Sequence, residues 1–134
     1  MYDQSSLLHG LSLLAVDTNR DLLSSLTEVF QVFGCTQVMS ATTIEEAVHL
    51  IAIAPPNIII SEIRLAHQNG FDLLGQVKKV EAERQIRIPV VAVTAYVTRG
   101  GRDCALAAGF SEYMTKPFSL KELIMVVARL TDRA

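Results

Sequence analysis

Three consecutive β-branched residues, Ile58-Ile59-Ile60, stand between Pro55-Pro56-Asn57 and Ser61-Glu62. A run this short and this apolar, opened by prolines and closed by polar residues, is the pattern of a strand covered on both faces. Such strands belong to parallel sheets sandwiched by helices, so this stretch constrains the fold more than any other. The run ends on a carboxylate. In open α/β sheets the working groups lie at the carboxyl ends of strands beside a topological switch point, which makes Glu62 the first candidate site residue. The plainer alternative is a strand-end glutamate facing water.

The same pattern recurs along the chain. Leu11 to Val16 reads as a first buried strand ending on Asp17-Thr18-Asn19, each a good helix-capping residue. From Arg20 to Phe33, Leu22, Leu23, Leu26, Val29, Phe30 and Phe33 recur at three- and four-residue steps, which predicts an amphipathic helix closed by Gly34. Thr36 to Ser40 is a short strand near an edge. Thr43-Ile44-Glu45-Glu46 is a capping box, and Ala47, Val48, Leu50, Ile51 and Ile53 supply the buried stripe of a second helix that Pro55-Pro56 stops. After the central strand, Asn69-Gly70 turns into a third helix carrying Phe71, Leu73, Leu74, Val77 and Val80. Ile88 to Val93 is the fourth strand and ends at Thr94. Tyr96 to Ala108 is a fourth helix weakened by Gly100 and Gly101, each costing up to about 1 kcal/mol relative to alanine. Phe110 to Thr115 is the fifth strand, and Ser119-Leu120-Lys121-Glu122 opens a last helix that ends near Leu130.

Five strands alternating with five helices make the βα repeat of an α/β, doubly wound parallel sheet. Right-handed crossovers then favour the flavodoxin-like strand order 2-1-3-4-5. The expected organisation is one domain over residues 11–131, with tails at 1–10 and 132–134. In the first tail Leu7-Leu8 is an apolar pair available to pack back on the domain, and His9 has no assigned role. A length of 134 residues, half of them hydrophobic, suits a single core.

A net charge of −2 and a pI near 5.9 argue against broad electrostatic capture of nucleic acid, and Lys78-Lys79 reads as a solvated helix face. No stretch reaches the roughly 18 apolar residues of a membrane span, and the N-terminus lacks the marks of a signal peptide. A soluble, cytoplasmic chain without membrane or nucleic-acid partners is expected. Cys35 and Cys104 are too few and too far apart for a disulfide framework or a metal knuckle, and are read as small buried hydrophobes.

In the expected order, strands one, three, four and five are neighbours. Their carboxyl ends would bring Asp17, Thr18, Glu62, Thr94 and Lys116 into one shallow cleft. Singly, these are helix caps, a strand-end hydroxyl and solvated charges; jointly, they point to a site. The stretches LLAVDTNRDLL, PNIIISEIRLAHQNGFDLL, IPVVAVTAY and ALAAGFSEYMTKPFSLKEL resemble the receiver domains of bacterial two-component response regulators, from roughly Leu11 to Leu130. In that family the first strand supplies two acids for Mg²⁺, the third ends in a phospho-accepting Asp, the fourth in a Ser or Thr, and the fifth in Lys-Pro. The resemblance implies that Thr94 is the switch hydroxyl, Tyr113 the aromatic that changes rotamer with it, and Lys116 the phosphoryl-binding amine, followed by a cis peptide to Pro117.

Two positions depart from the family pattern, and both bear on the same reaction. Thr18 stands where the second metal-binding acid is expected, and Glu62 where the phospho-acceptor Asp is expected. Mg²⁺ is usually held by one or two carboxylates with phosphate oxygens and waters, and Thr18 offers only a neutral oxygen. Asp17 and Glu62 remain as residual metal candidates, with a main-chain carbonyl near Arg64 as the resemblance implies. The extra methylene of Glu62 moves its oxygens by more than about 1 Å, and a misplacement of about 1 Å can cost on the order of 10²-fold. Asp17, Glu62 and Lys116 sum to a formal charge of about −1. A resting family pocket carries about −2, and a phosphorylated, Mg²⁺-loaded one again about −1. Glu62 is therefore expected to reach Lys116, and Thr94 with it, and to hold one signalling state without metal. Arg64 is read as solvated, as a screen for the pocket or as a partner contact. His67 has nothing around it to support a role as phosphoryl carrier.

The expected function is that of a stand-alone pseudo-receiver. This is a non-enzymatic signalling module, with no output domain following, that works through protein–protein interaction without phosphorylation. Its partner would read the fourth helix, fifth strand and fifth helix, roughly Arg99 to Ala108, Ser111 to Thr115 and Leu120 to Leu130, and the same face would serve a homodimer. One alternative is a receiver that still takes phosphate with weakly held Mg²⁺. Another is a flavodoxin-like binder of a nucleotide or flavin, which the glycine-free turn Asp17-Thr18-Asn19-Arg20-Asp21 disfavours because it cannot wrap a phosphate.

Overall fold

The computed structural model describes residues 6–133. Five strands form one parallel sheet: β1 (Ser12–Val16), β2 (Gln37–Ala41), β3 (Ile58–Ser61), β6 (Val90–Thr94) and β7 (Glu112–Thr115), in the order β2-β1-β3-β6-β7. Two further short strands, β4 (Arg64–Leu65) and β5 (Gln68–Asn69), pair antiparallel in the segment after β3. Apart from that hairpin the order is the flavodoxin-like 2-1-3-4-5. The helices are α1 (Arg20–Val32), α2 (Ile44–Ile53), α3 (Gly70–Arg84), α4 (Gly101–Ala108) and α5 (Leu120–Leu130).

Although the central strands are apolar throughout, their side chains still alternate between two cores. Leu13, Ala15, Ile58, Ile60, Val91 and Val93 face one cluster with Leu26, Phe30, Leu123 and Val127 of α1 and α5. Leu14, Val16, Ile59, Val90 and Ala92 face the other, with Ala47, Ile51, Leu73, Val77 and Ala105 of α2, α3 and α4. This is the two-sided burial that a continuous apolar run signals. Leu8 is fully buried in the first cluster, and its N–H donates to the Phe33 carbonyl at 2.8 Å, so the Leu7-Leu8 pair does pack on the domain.

Local polar signals fix the helix starts. The Asn19, Thr43, Asn69 and Ser119 side chains accept from N–H groups in the first turns of α1, α2, α3 and α5. The Glu46 carboxylate reaches back to the Thr42 N–H at 3.0 Å, one residue before the cap, completing a shifted capping box.

Three expectations need correction. Helix α4 starts at Gly101 rather than Tyr96: the Thr94 hydroxyl captures the Tyr96 N–H at 3.1 Å, and Gly100 adopts a left-handed φ of 76°. Ile53 is 66% exposed, because it lies two residues, about 200° of helical arc, from the buried Ile51. Cys104 is exposed on α4, while Cys35 is buried and its thiol is pushed up to about 11, by burial first and against the opposing charge of Arg133.

Two consequences are testable. An aromatic disulfide reagent should label one thiol in the native protein and two after denaturation. Gly70 packs on the strand-end backbone, where an added Cβ would lie 2.6 Å from the Glu62 carbonyl oxygen. Gly70→Ala should therefore lower stability by about 1–3 kcal/mol, read from the urea midpoint.

Candidate functional site

Backbone register brings the site together before any side chain does. The β1–β3 ladder pairs Val16 with Ser61, and the β6–β7 ladder pairs Thr94 with Thr115. Beyond the strands, the Glu62 N–H donates to the Val16 carbonyl at 2.9 Å and the Lys116 N–H to the Thr94 carbonyl at 2.8 Å. Asp17, Glu62, Thr94 and Lys116 thus stand at one end of adjacent strands.

Lys116 joins the two acids. Its ammonium lies 2.7 Å from Asp17 Oδ2 and 3.3 Å from Glu62 Oε1. Both carboxylates are only 5% exposed, so these contacts are worth more than surface ion pairs. The remaining oxygens are met by backbone donors. The Asn19 N–H reaches Asp17 Oδ1 at 2.9 Å, the Ile63 N–H reaches Glu62 Oε2 at 2.7 Å, and the Ala95 N–H reaches Glu62 Oε1 at 3.4 Å. Burial acts to lower the Lys116 pKa. The hydrogen bond and charge of Asp17, followed by the charge and hydrogen bond of Glu62, outweigh it and hold the ammonium above its ordinary 10.5.

Thr94 is buried beside the acids, but its hydroxyl oxygen is taken by the Tyr96 N–H; the Ala95 N–H next to it makes the contact with Glu62 instead. Thr18 is exposed on the β1–α1 turn, and His67 is exposed in the hairpin. Tyr113 is half-buried, and a Cβ on Gly101 would lie 3.2 Å from its Oη, so the absence of a side chain at 101 lets ring and helix approach. The Lys116–Pro117 peptide is cis.

Two contacts escape the sequence. The guanidinium of Arg64 stacks 4.0 Å above the Tyr96 ring, tying the loop after β3 to the loop after β6. Gln68 clamps the β4–β5 hairpin onto α2: its Oε1 accepts from the Ile44 N–H at 2.8 Å, and its amide nitrogen donates to both Glu45 oxygens. The Glu45 pKa is lowered, first by that Gln68 bond. Neither partner carries a motif; Arg64 is only visible as a charge near the site.

A family model described as the response regulator receiver domain matches residues 13–128. The chain belongs to the response regulator receiver family. This receiver is similar to a 14.6 kDa protein in the sodA1 3′ region of Leptolyngbya boryana, with 32% identity over 117 residues, 87% of either chain. It is 28% identical over 121 residues to the response regulator SaeR of Staphylococcus aureus, which covers 90% of this chain but 50% of SaeR, so it spans about half the length of that relative. Among solved structures, the receiver domain of the Francisella response regulator 1452 matches with a TM-score of 0.78 and 26% identity, over 92% of this chain and 98% of that one. The receiver domain of the histidine kinase CKI1 from Arabidopsis thaliana, complexed with Mg²⁺ and BeF₃⁻, matches with a TM-score of 0.83 over 96% and 95% of the two chains. At 20% identity that likeness is one of fold.

Mg²⁺ is the ion the family implies, and the donors here suit it poorly. Asp17 and Glu62 are the acids that meet at the cleft, both are engaged by Lys116, and Thr18, exposed on the β1–α1 turn, is a neutral hydroxyl. Among the described residues no three His, Cys, Asp or Glu side chains gather as a metal site. This set does not fit a tightly held divalent ion.

Lys116→Met should lower stability at neutral pH by about 1–3 kcal/mol, because it strands two buried carboxylates. Since the folded pKa of Lys116 is raised, its contribution is complete below the ordinary 10.5 and lost as pH rises through the folded value. Urea midpoints of the parent and Lys116→Met should differ at pH 8 and converge above the folded pKa.

Proposed function

We propose that this receiver is a signalling module that acts by protein–protein interaction and does not depend on aspartyl phosphate. The observation that carries this is the Glu62 carboxylate bound to the Lys116 ammonium at 3.3 Å and to the Ile63 N–H at 2.7 Å. An acceptor must present a free oxygen in line with a phosphodonor, with metal charge opposite it. Here one oxygen is turned back onto the backbone, the other faces the lysine, and Thr18 replaces a metal-binding acid. Mg²⁺ would have only Asp17 and Glu62 as charged ligands and would bind weakly.

Function then rests on the surface. The α4–β7–α5 face displays Leu106, Leu120 and Met125, which are 37%, 41% and 46% exposed. Glu112 on β7 is bound by Arg129 at 2.8 Å and lies 3.6 Å from Arg102, which ties the three elements together. A kinase, an effector or a second copy of the chain would read this face in the cytoplasm.

Incubation with acetyl phosphate and Mg²⁺, followed by intact-mass measurement, should give no stoichiometric gain of about 80 Da. The Thr18→Asp, Glu62→Asp double variant should gain that mass in a Mg²⁺-dependent way. A mass gain on the parent chain would establish instead a receiver that still takes phosphate.

A further inference from the structure

We infer that the groove between the loop after β3 and the start of α4 is a docking site for an acidic peptide segment of a partner protein, anchored by an aromatic or aliphatic side chain. This deepens the proposed interaction role and rests on it. Arg64, Phe71, Tyr96, Arg99, Cys104 and Tyr113 are among the residues that line the groove, so it shares α4 and β7 with the α4–β7–α5 face, takes nothing from α5, and extends away from it to the loop after β3.

Charge complementarity names the occupant. The lining holds two arginines and no carboxylate, on a chain whose net charge is −2. Among the described residues Arg64 and Arg99 take part in none of the ion pairs, which involve Arg102, Lys116 and Arg129. The cation–π contact with Tyr96 holds the Arg64 guanidinium in place before binding without pairing it to a carboxylate. Salt bridges within the domain would have consumed these donors.

The apolar requirement has its own evidence. Tyr96 is 53% exposed and the adjacent Val97 70%, beside a groove that runs inward to Ile63 and Phe71. Contiguous exposed apolar side chains rimmed by charge mark interaction sites. Aromatic and arginine side chains are also the types that dominate binding energy in protein interfaces. Two cations on a net-negative chain are too few to capture a nucleic acid, whose affinity comes from many phosphate contacts, so a short acidic peptide fits better.

The test is selection from a phage-displayed library of random short peptides against the 134-residue chain, followed by fluorescence anisotropy with the enriched sequences. Peptides rich in Asp and Glu around one aromatic or aliphatic residue should emerge, and their affinity should fall as NaCl is raised. Arg64→Gln, Arg99→Gln and Tyr96→Ala, all at exposed positions, should each weaken binding by about tenfold, whereas Lys79→Gln should not. Absence of acidic enrichment, or equal binding to the Arg64→Gln, Arg99→Gln double variant, would overturn the site. Repeating the titration with acetyl phosphate and Mg²⁺ separates the two claims. Unchanged affinity supports both, and a phosphodonor-dependent rise retains the groove while defeating phosphate independence. Failed selection without any mass gain defeats the groove alone.

Discussion

A single ammonium group organises the working end of this molecule. Lys116 is drawn from β7 across the ends of β6 and β3 to Asp17, and its second contact is Glu62. Two carboxylates so close and so dry would repel each other and lack solvent, and the lysine offsets both penalties at once. The backbone completes the arrangement through the N–H groups of Asn19, Ile63 and Ala95. Among the described residues no buried side-chain polar atom is left without a partner, so the cleft is internally satisfied as it stands.

That satisfaction depends on the reach of Glu62. The longer reach of glutamate at position 62 allows one carboxylate oxygen to lie against Lys116 while the other folds back on the Ile63 N–H. Gly70 holds the same backbone from the other side, since its missing side chain leaves room for the Glu62 carbonyl. Gln68 and the Arg64–Tyr96 stack then tie the following loop to α2 and to the loop after β6. The site is thus braced by α3 through Gly70, by α2 through Gln68 and by the loop after β6 through Tyr96.

Much of this was legible from residue order. The strand order, the paired cores, three of the helix caps and the meeting of Asp17, Glu62, Thr94 and Lys116 all follow from apolar runs and punctuation. The failures have definite causes. Residue type places Ile53 in its helix stripe, although its phase points away from Ile51. Residue type assigns Cys104 to the interior, yet it is exposed on a short helix. Helix periodicity puts the start of α4 five residues early, because the capture of the Tyr96 N–H by Thr94 competes with helix formation in a way that propensity does not register. The β4–β5 hairpin has strands of only two residues, too short for any alternation to show.

By itself the sequence determined the architecture and the identity of the charged groups at the sheet's edge, because both follow from hydrophobic periodicity and the few topologies it permits. It also determined that Thr stands at position 18 and Glu at position 62. Only the tertiary structure decided how those groups pair. Whether Glu62 meets Lys116, Thr94 or a backbone N–H depends on distances of a few tenths of an ångström between strands far apart in the chain, and local sequence carries no record of such distances. The stacking of Arg64 on Tyr96 and the exposed groove beside it belong to the same class: they exist because two loops with no shared motif are brought together by the sheet.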